Sequence, residues 1–221
     1  MHQNIEQTEN LPSSFLLPAA QQIQPIEQGS IDNLCGLYAV VNALRLLTPA
    51  SRGRDQKLFH AAITYLDDLE WLSSVITEGM HTALFSALAR KIGESENFQV
   101  SRVASWGEKH RQEEAVIRAI VTGSPVLASI DPPLDHYSVI CGYTATRWLL
   151  FDSYGYRWLS RARCSFGSRE NARHIMLAWA IGAGPKALDR QPVIQEQEAR
   201  QLWLPIPPTR QRSSGHSGVQ S

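Results

Sequence analysis

"EQGSIDNLCGLYAVVNALRLL", residues 27–47, runs from a polar stretch into an apolar segment that opens on Cys35 and Gly36. Asp32 or Asn33 suits the N-cap of a helix reaching about Leu47, because a short side-chain oxygen there accepts from the free N–H groups of the first turn. Thr48 and Pro49 close the helix. Within it only Asn42 and Arg45 are strongly polar, so it is expected to be buried on nearly all sides. A helix of that kind needs neighbours to cover it. "RDQKLFHAAITYLDDLEWL" (54–72) and "GMHTALFSALARKIG" (79–93, with Gly93 as its stop) have the amphipathic spacing to do so.

Beyond residue 97 the period changes. "FQVSRVA" (98–104) reads as a strand and "QEEAVIRAIVTG" (112–123) as a helix ended by Gly123. "SPVLASI", "HYSVICGY", "WLLFDS", "YRWLS" and "HIMLAWAIG" then read as short strands between turn-like breaks. Helices followed by strands imply an α+β fold: an N-terminal helical layer, with the Cys-bearing helix buried at its centre, packed on a C-terminal antiparallel sheet or half-barrel. Residues 1–25, rich in Gln, Asn, Pro and Ser, are expected to form a flexible arm. Residues 185–221, Pro-rich and then Ser/Gly-rich, are expected to form a flexible tail, which leaves the folded domain at about 26–184.

Composition narrows the partners. The 21 basic residues balance 21 acidic ones and 43% of the chain is hydrophobic, which speaks against both a disordered acidic chain and a basic nucleic-acid binder. The N-terminus lacks a positive n-region followed by an apolar h-region, and no stretch reaches the roughly 18 apolar residues of a membrane span. No nucleic acid and no membrane is therefore expected, and the default location is cytoplasmic; effectors exported by specialised machines lack the usual signal too. The three cysteines, Cys35, Cys141 and Cys164, show none of the paired spacings of a zinc site or a disulfide framework.

Cys35 has three open readings: buried filler, metal ligand or nucleophile. A cysteine two or three residues past an N-cap sits among free N–H groups at the positive end of a helix, where an anion is stabilised. Gly36 leaves its flank open to a substrate carbonyl. A nucleophile needs a base, and seven histidines are present. His2 and His216 fall in the arm and tail, His60 and His81 in helices, and His110 in a charged loop, while His136 and His174 open strands. His136 is favoured because a hairpin through "TATR" brings it beside Asp152 at the end of the next strand, where a carboxylate fixes the imidazole tautomer. His174 has no following acid. Cys141 and Cys164, away from any helix start, read as buried hydrophobes. Asn42, on the same helix face as Cys35, either braces a neighbouring loop or is a buried amide bonded to backbone. The aromatic residues Tyr137 to Trp158 read mostly as strand core, although Tyr137 and Trp158 are also candidates for lining a cleft.

The order Gln28, Cys35, His136, Asp152, with Cys-Gly opening an apolar helix and His opening a hairpin that ends in Asp, resembles the papain-like cysteine peptidases, in particular the bacterial C39-like branch. The resemblance implies a papain-like fold with Cys35 as nucleophile, His136 as general base and acid, Asp152 as the orienting residue and Gln28 as oxyanion donor. Gln28 stands one residue farther from the cysteine than is common in that group, so Asn33 or the Cys35 N–H is expected to share its work. Asn33, Gly36 and Tyr137 are the expected substrate contacts. The implied activity is cleavage of a peptide or isopeptide bond in a protein or peptide substrate through an acyl-enzyme, with no metal or organic cofactor. Two other outcomes suit the same residues: a glutamine deamidase or transglutaminase-like acyltransferase, or a non-catalytic binding module on the same scaffold.

Overall fold

The computed structural model describes residues 11–48, 51–104, 109–166 and 172–182, with only the backbone at Ala104, Lys109 and His110. Pro49, residues 1–10 of the expected arm and all of the expected tail lie outside the described residues.

The buried helix is α2 (Cys35–Leu47). Nine of its residues, among them Leu37, Val40, Val41 and Leu44, are shut off from solvent, as its nearly unbroken apolar sequence requires. Thr48 closes it, its hydroxyl donating to the Leu44 carbonyl at 3.1 Å. Its start differs from expectation. Leu34 occupies the N-cap without a side-chain cap, and Asp32 instead accepts from the Leu34 N–H at 3.1 Å. Cys35 is therefore the first residue of the helix, and the N-cap side chain fills none of the donor positions there.

Preceding α2 are β1 (Phe15–Leu16) and α1 (Pro18–Gln22). α3 (Arg52–Asp68), α4 (Leu72–Glu78) and α5 (Thr82–Ser95) follow it. The single helix expected over 54–72 is broken at Glu70, whose φ of 62° takes the chain out of the right-handed region. Gly93 does not stop α5. It lies inside the helix where a Cβ would come within 3.0 Å of Val100, so its smallness serves a close crossing. The end comes at Asn97 (φ 63°): its N–H donates to the Glu94 carbonyl and the Phe98 N–H to the Gly93 carbonyl, the paired bonds of a Schellman terminus.

β2 (Gln99–Ala104) and α6 (Lys109–Val121) lead into β3 (Val126–Ile130), β4 (His136–Tyr143), β5 (Arg147–Leu150), β6 (Trp158–Ser160), β7 (Cys164–Phe166) and β8 (His174–Gly182). Among the described residues these make one sheet in the order β2-β8-β3-β4-β5-β6. β1 pairs with β4, and β7 pairs with β8; that last pairing is parallel and the others are antiparallel. Every residue of β3 and β4 is buried. Since side chains alternate between faces, both faces of the sheet's centre are covered, and α2 and α6 each pack on these strands. The fold is thus mixed α+β, and α6 supplies helical cover that the N-terminal layer alone would not give.

The arm expected over 1–25 is corrected in its second half. Phe15 and Leu16 pair with Tyr143 and Gly142, Leu17 is buried, and the Tyr143 hydroxyl donates to the Pro12 carbonyl at 2.8 Å. Ile140 already uses its two edges for β3 and β5, so β1 continues the edge that β3 leaves beyond Val126. Among the described residues no helix is long and apolar enough to cross a membrane.

Candidate active site

Three elements meet at Cys35. The half-buried thiol stands on the first residue of α2, where the leading N–H groups have no carbonyl a turn earlier to accept from them; the first helical bond runs from the Tyr38 N–H to the Leu34 carbonyl. The second element is β4, which delivers His136 at its first position, paired with Ile130 of β3. The third is the turn after β5, which carries Asp152.

His136 Nε2 lies 2.7 Å from Asp152 Oδ2. With Nε2 taken, Nδ1 is the nitrogen left to serve the Cys35 thiol, which stands close enough to the ring to raise its proton affinity. The imidazole is 8% exposed and Asp152 2%. Burial alone would depress the His136 pKa, but the hydrogen bond and negative charge of Asp152, with the neighbouring Cys35 sulfur adding to them, outweigh it and push the value up to about 9. For Asp152, burial works to raise the pKa and is overcome by the hydrogen bond and positive charge of His136, so the carboxyl is held below its ordinary range. The other carboxylate oxygen, Oδ1, accepts from the Tyr154 N–H at 2.8 Å and the Tyr156 N–H at 3.1 Å. Both oxygens are therefore committed, and the carboxylate cannot rotate away from the ring. A protonated imidazole oriented by a carboxylate and facing a thiol at a helix start is an arrangement that stabilises thiolate and can return a proton to a leaving group.

Gln28 is brought to the same place by the turn after β5. Its N–H donates to the Ser153 carbonyl at 2.9 Å and its Oε1 accepts from Ser153 Oγ at 3.0 Å. With the carbonyl end of the amide occupied, the NH2 end is the part left to donate. Ser153 is buried next to Asp152, so one turn fixes both the orienting acid and Gln28.

The three expected substrate contacts are placed elsewhere. Asn33 spends its side-chain NH2 on the Ile76 and Thr77 carbonyls, at 3.2 and 2.8 Å, tying the loop before α2 to the end of α4 rather than serving the oxyanion. Gly36 is buried. A Cβ there would stand 3.2 Å from Phe85, 3.3 Å from Tyr137 and 3.4 Å from the Met80 sulfur, so the glycine admits core side chains and not a substrate. Tyr137 is also core: its ring stacks on Phe85 at 4.1 Å between centroids and its hydroxyl donates to the Met80 carbonyl at 2.8 Å. Its phenol is pushed up to about 12, with burial as the main cause.

The residues that do flank the imidazole read as strand core in the sequence. Tyr154, 60% exposed, and Tyr156, 38% exposed, set their rings edge-on to His136 with centroids at 6.3 and 5.5 Å. The available signal is Gly155 between them: its φ of 91° makes a turn rather than a strand, so the tyrosines cannot alternate into a sheet. Trp158, the other expected cleft residue, is exposed with Arg147 stacked 4.2 Å from its ring centroid. Asn42 braces the segment before α2, bonding the Ile26 backbone at both N–H and carbonyl, which satisfies both of its sequence readings at once. His174 pairs with Cys164 across the β7–β8 ladder, and burial with the charges of Arg173 and Arg163 lowers its pKa. Cys141 and Cys164 are buried, and burial drives the Cys141 thiol up to about 12. A groove of about 820 Å³ between α2 and α3, lined by Ile26, Tyr38, Phe59 and Ile63, contains none of the four candidate catalytic side chains.

No protein-family model matches the chain, and comparison with curated protein sequences finds no similar one.

Proposed function

We propose that the chain is a thiol hydrolase of papain-like type that opens a peptide or isopeptide bond in a protein or peptide substrate. The observation that carries the reading is the oriented imidazole: His136 Nε2 is held at 2.7 Å by a buried carboxylate, which leaves the other ring nitrogen for the neighbouring thiol at the start of α2. Neutralising a buried His/Asp pair structurally needs no third partner, whereas a thiol in that position gives the pair a proton to exchange.

In this mechanism the Cys35 thiolate attacks the scissile carbonyl carbon. The carbonyl oxygen takes the negative charge and is met by the Cys35 N–H and the Gln28 NH2 group. Imidazolium at His136 gives its proton to the departing amine, the thioester forms, and His136 then takes a proton from the water that releases the acid. Asp152 stays ionised throughout and keeps the ring in the tautomer that points its working nitrogen at sulfur. Tyr154 and Tyr156, standing beside the imidazole, wall the side on which the leaving group departs. The chain's own residues supply every proton transfer.

The test is the pH dependence of Cys35 alkylation by iodoacetamide, located by mass spectrometry, in wild type and His136→Ala. Rapid labelling well below the ordinary thiol pKa of about 8.5, lost in the variant, is expected. Ordinary thiol behaviour in both proteins would return Cys35 to the core. The amide that is opened separates the chemistries: with a protein lysate, water entering after attack on a peptide or isopeptide bond yields new chain termini for a hydrolase. A one-dalton gain at glutamine in intact chains marks a deamidase, and an effect that survives Cys35→Ala marks a binding module.

A further inference from the structure

Residues 23–34, between α1 and α2, form neither helix nor strand, yet they are fixed at alternate positions. Arg45 Nη1 donates to the Gln24 carbonyl at 2.6 Å. Asn42 Oδ1 accepts from the Ile26 N–H at 2.8 Å while its Nδ2 donates to the Ile26 carbonyl at 3.0 Å. Gln28 is then held by the Ser153 backbone and hydroxyl. Asn42 is 0% exposed, in the middle of a helix where an aliphatic side chain would pack without needing partners. What the amide adds is the pair of bonds that a neighbouring strand would give: one donor and one acceptor on a single residue. A lone hydrogen bond fixes a distance; two opposed ones also fix the rotation of the segment about its own axis. Only Glu27 stands between Ile26 and Gln28, so a rotation set at Ile26 is transmitted through two peptide planes to Gln28.

We infer that Asn42 is a positioning residue for the oxyanion site: acting through Ile26, it sets the direction in which the Gln28 amide presents its NH2 group. The inference rests on the reading of Cys35 as an acylated nucleophile with Gln28 as oxyanion donor.

Two reactions of the same sulfur isolate this role. In acylation by p-nitrophenyl acetate the Cys35 thiolate forms a bond to the acetyl carbon, negative charge gathers on the carbonyl oxygen, and collapse expels p-nitrophenolate to leave the acetyl thioester. In alkylation by iodoacetamide the thiolate displaces iodide from a saturated carbon and no oxyanion arises. The ratio of the two rate constants therefore reads the oxyanion site, while alkylation at low pH reports an intact Cys35/His136 pair and hence an intact fold around it.

For Asn42→Leu the ratio is expected to fall about 10- to 100-fold, less than or equal to the loss in Gln28→Ala. The double variant should lose no more than Gln28→Ala alone, because both act on one group. An unchanged ratio in Asn42→Leu with low-pH alkylation preserved would overturn the inference, as would losses that multiply in the double variant. Should Asn42→Leu lose its low-pH alkylation, Ile26→Pro approaches the same bond from the other side by deleting the N–H that Asn42 accepts. A fall in the ratio there supports the inference, and an unchanged ratio refutes it. A wild type that shows no low-pH alkylation at all would instead remove the nucleophile, and the inference with it.

Discussion

Replacing Asp152 by asparagine changes one atom and should be worse for the site than removing the side chain. Lifting an imidazole from 6.5 to about 9 corresponds to roughly 3 kcal/mol of preference for its protonated form, and Asp152 supplies the first of the favourable contributions. An opposite charge at hydrogen-bond distance accounts for about one to three pH units of such a rise, so Asp152→Ala should bring His136 back toward its ordinary value. Asparagine adds a second fault. Oδ1 of Asp152 accepts from two backbone donors, the Tyr154 and Tyr156 N–H groups, whereas Oδ2 meets a single ring nitrogen. The amide introduced by Asp152→Asn would turn its oxygen to the two donors and its NH2 to His136 Nε2. That nitrogen must then accept, the ring proton moves to Nδ1, and the nitrogen facing Cys35 can no longer take the thiol proton. A wrong tautomer of this kind costs a catalytic histidine up to about 10⁴-fold. The assay is the second-order rate of Cys35 alkylation at pH 6 in the three proteins, with buried Cys141 and Cys164 as unreactive internal references. Reactivity should fall in the order wild type, Asp152→Ala, Asp152→Asn. An Asn variant as reactive as the Ala variant would refute the tautomer argument, and wild-type reactivity in both would refute the role of the carboxylate.

Other outcomes follow from the same contacts. Because His136 holds its proton more tightly folded than unfolded, it stabilises the fold fully below 6.5, and that contribution is lost as pH rises through about 9. Urea midpoints should therefore drop between pH 7 and 10 by an amount worth up to about 3 kcal/mol, and a drop of equal size in His136→Ala would show that another group is responsible. Asp152, held low in the fold, acts in the opposite sense: its contribution is present above its unfolded value and disappears as acid protonates it through its depressed native value, so wild type should lose more stability on acidification than Asp152→Ala. Gly36→Ala should cost about 1–3 kcal/mol in urea unfolding by pressing on Phe85, Tyr137 and Met80, and a neutral result would mean that this core yields easily. Tyr137→Phe should cost about 1 kcal/mol by leaving the Met80 carbonyl without its donor, while low-pH Cys35 alkylation persists; loss of the alkylation would restore Tyr137 to the site.

The parts of the fold legible in the sequence are those stabilised by their own side-chain pattern. α2, β4 and β8 lie where apolar runs of helix or strand length stand between breaks, and β4 and β8 begin at the expected histidines. The parts that are not legible depend on residues far away in the chain. β1 has two residues and no period to read; it exists because β4 has an unpaired edge beyond β3. The break between α3 and α4 turns on Glu70, a residue with no intrinsic preference for positive φ, held there while the Glu70 and Trp71 N–H groups bond back to Asp67 and Leu66. Gly93 reads as a terminator on its intrinsic freedom, yet its position is dictated by Val100.

The candidate site divides along the same line. Cys35, His136 and Asp152 are each the first residue of an element or just past the last, so the element boundaries alone bring them within reach of one another. Asn33, Gly36 and Tyr137 are candidates only by adjacency to those residues, and adjacency is a poor guide because neighbours along a helix or strand face different ways. Tyr137 follows His136 and so turns its side chain to Phe85 and Met80, while His136 turns to Asp152. Tyr154 and Tyr156, two and four residues from Asp152, come to His136 because the Gly155 turn folds them back over the carboxylate that their own N–H groups hold. Binding the acid and walling the base are thus one structural act, which ties the shape of the tyrosine wall to the orientation of the imidazole. A substitution that straightens this turn, such as Gly155→Val, should therefore raise the pH at which Cys35 becomes reactive even though it touches neither the sulfur nor the ring. Alkylation that keeps its wild-type pH profile in that variant would separate the tyrosine wall from the proton chemistry.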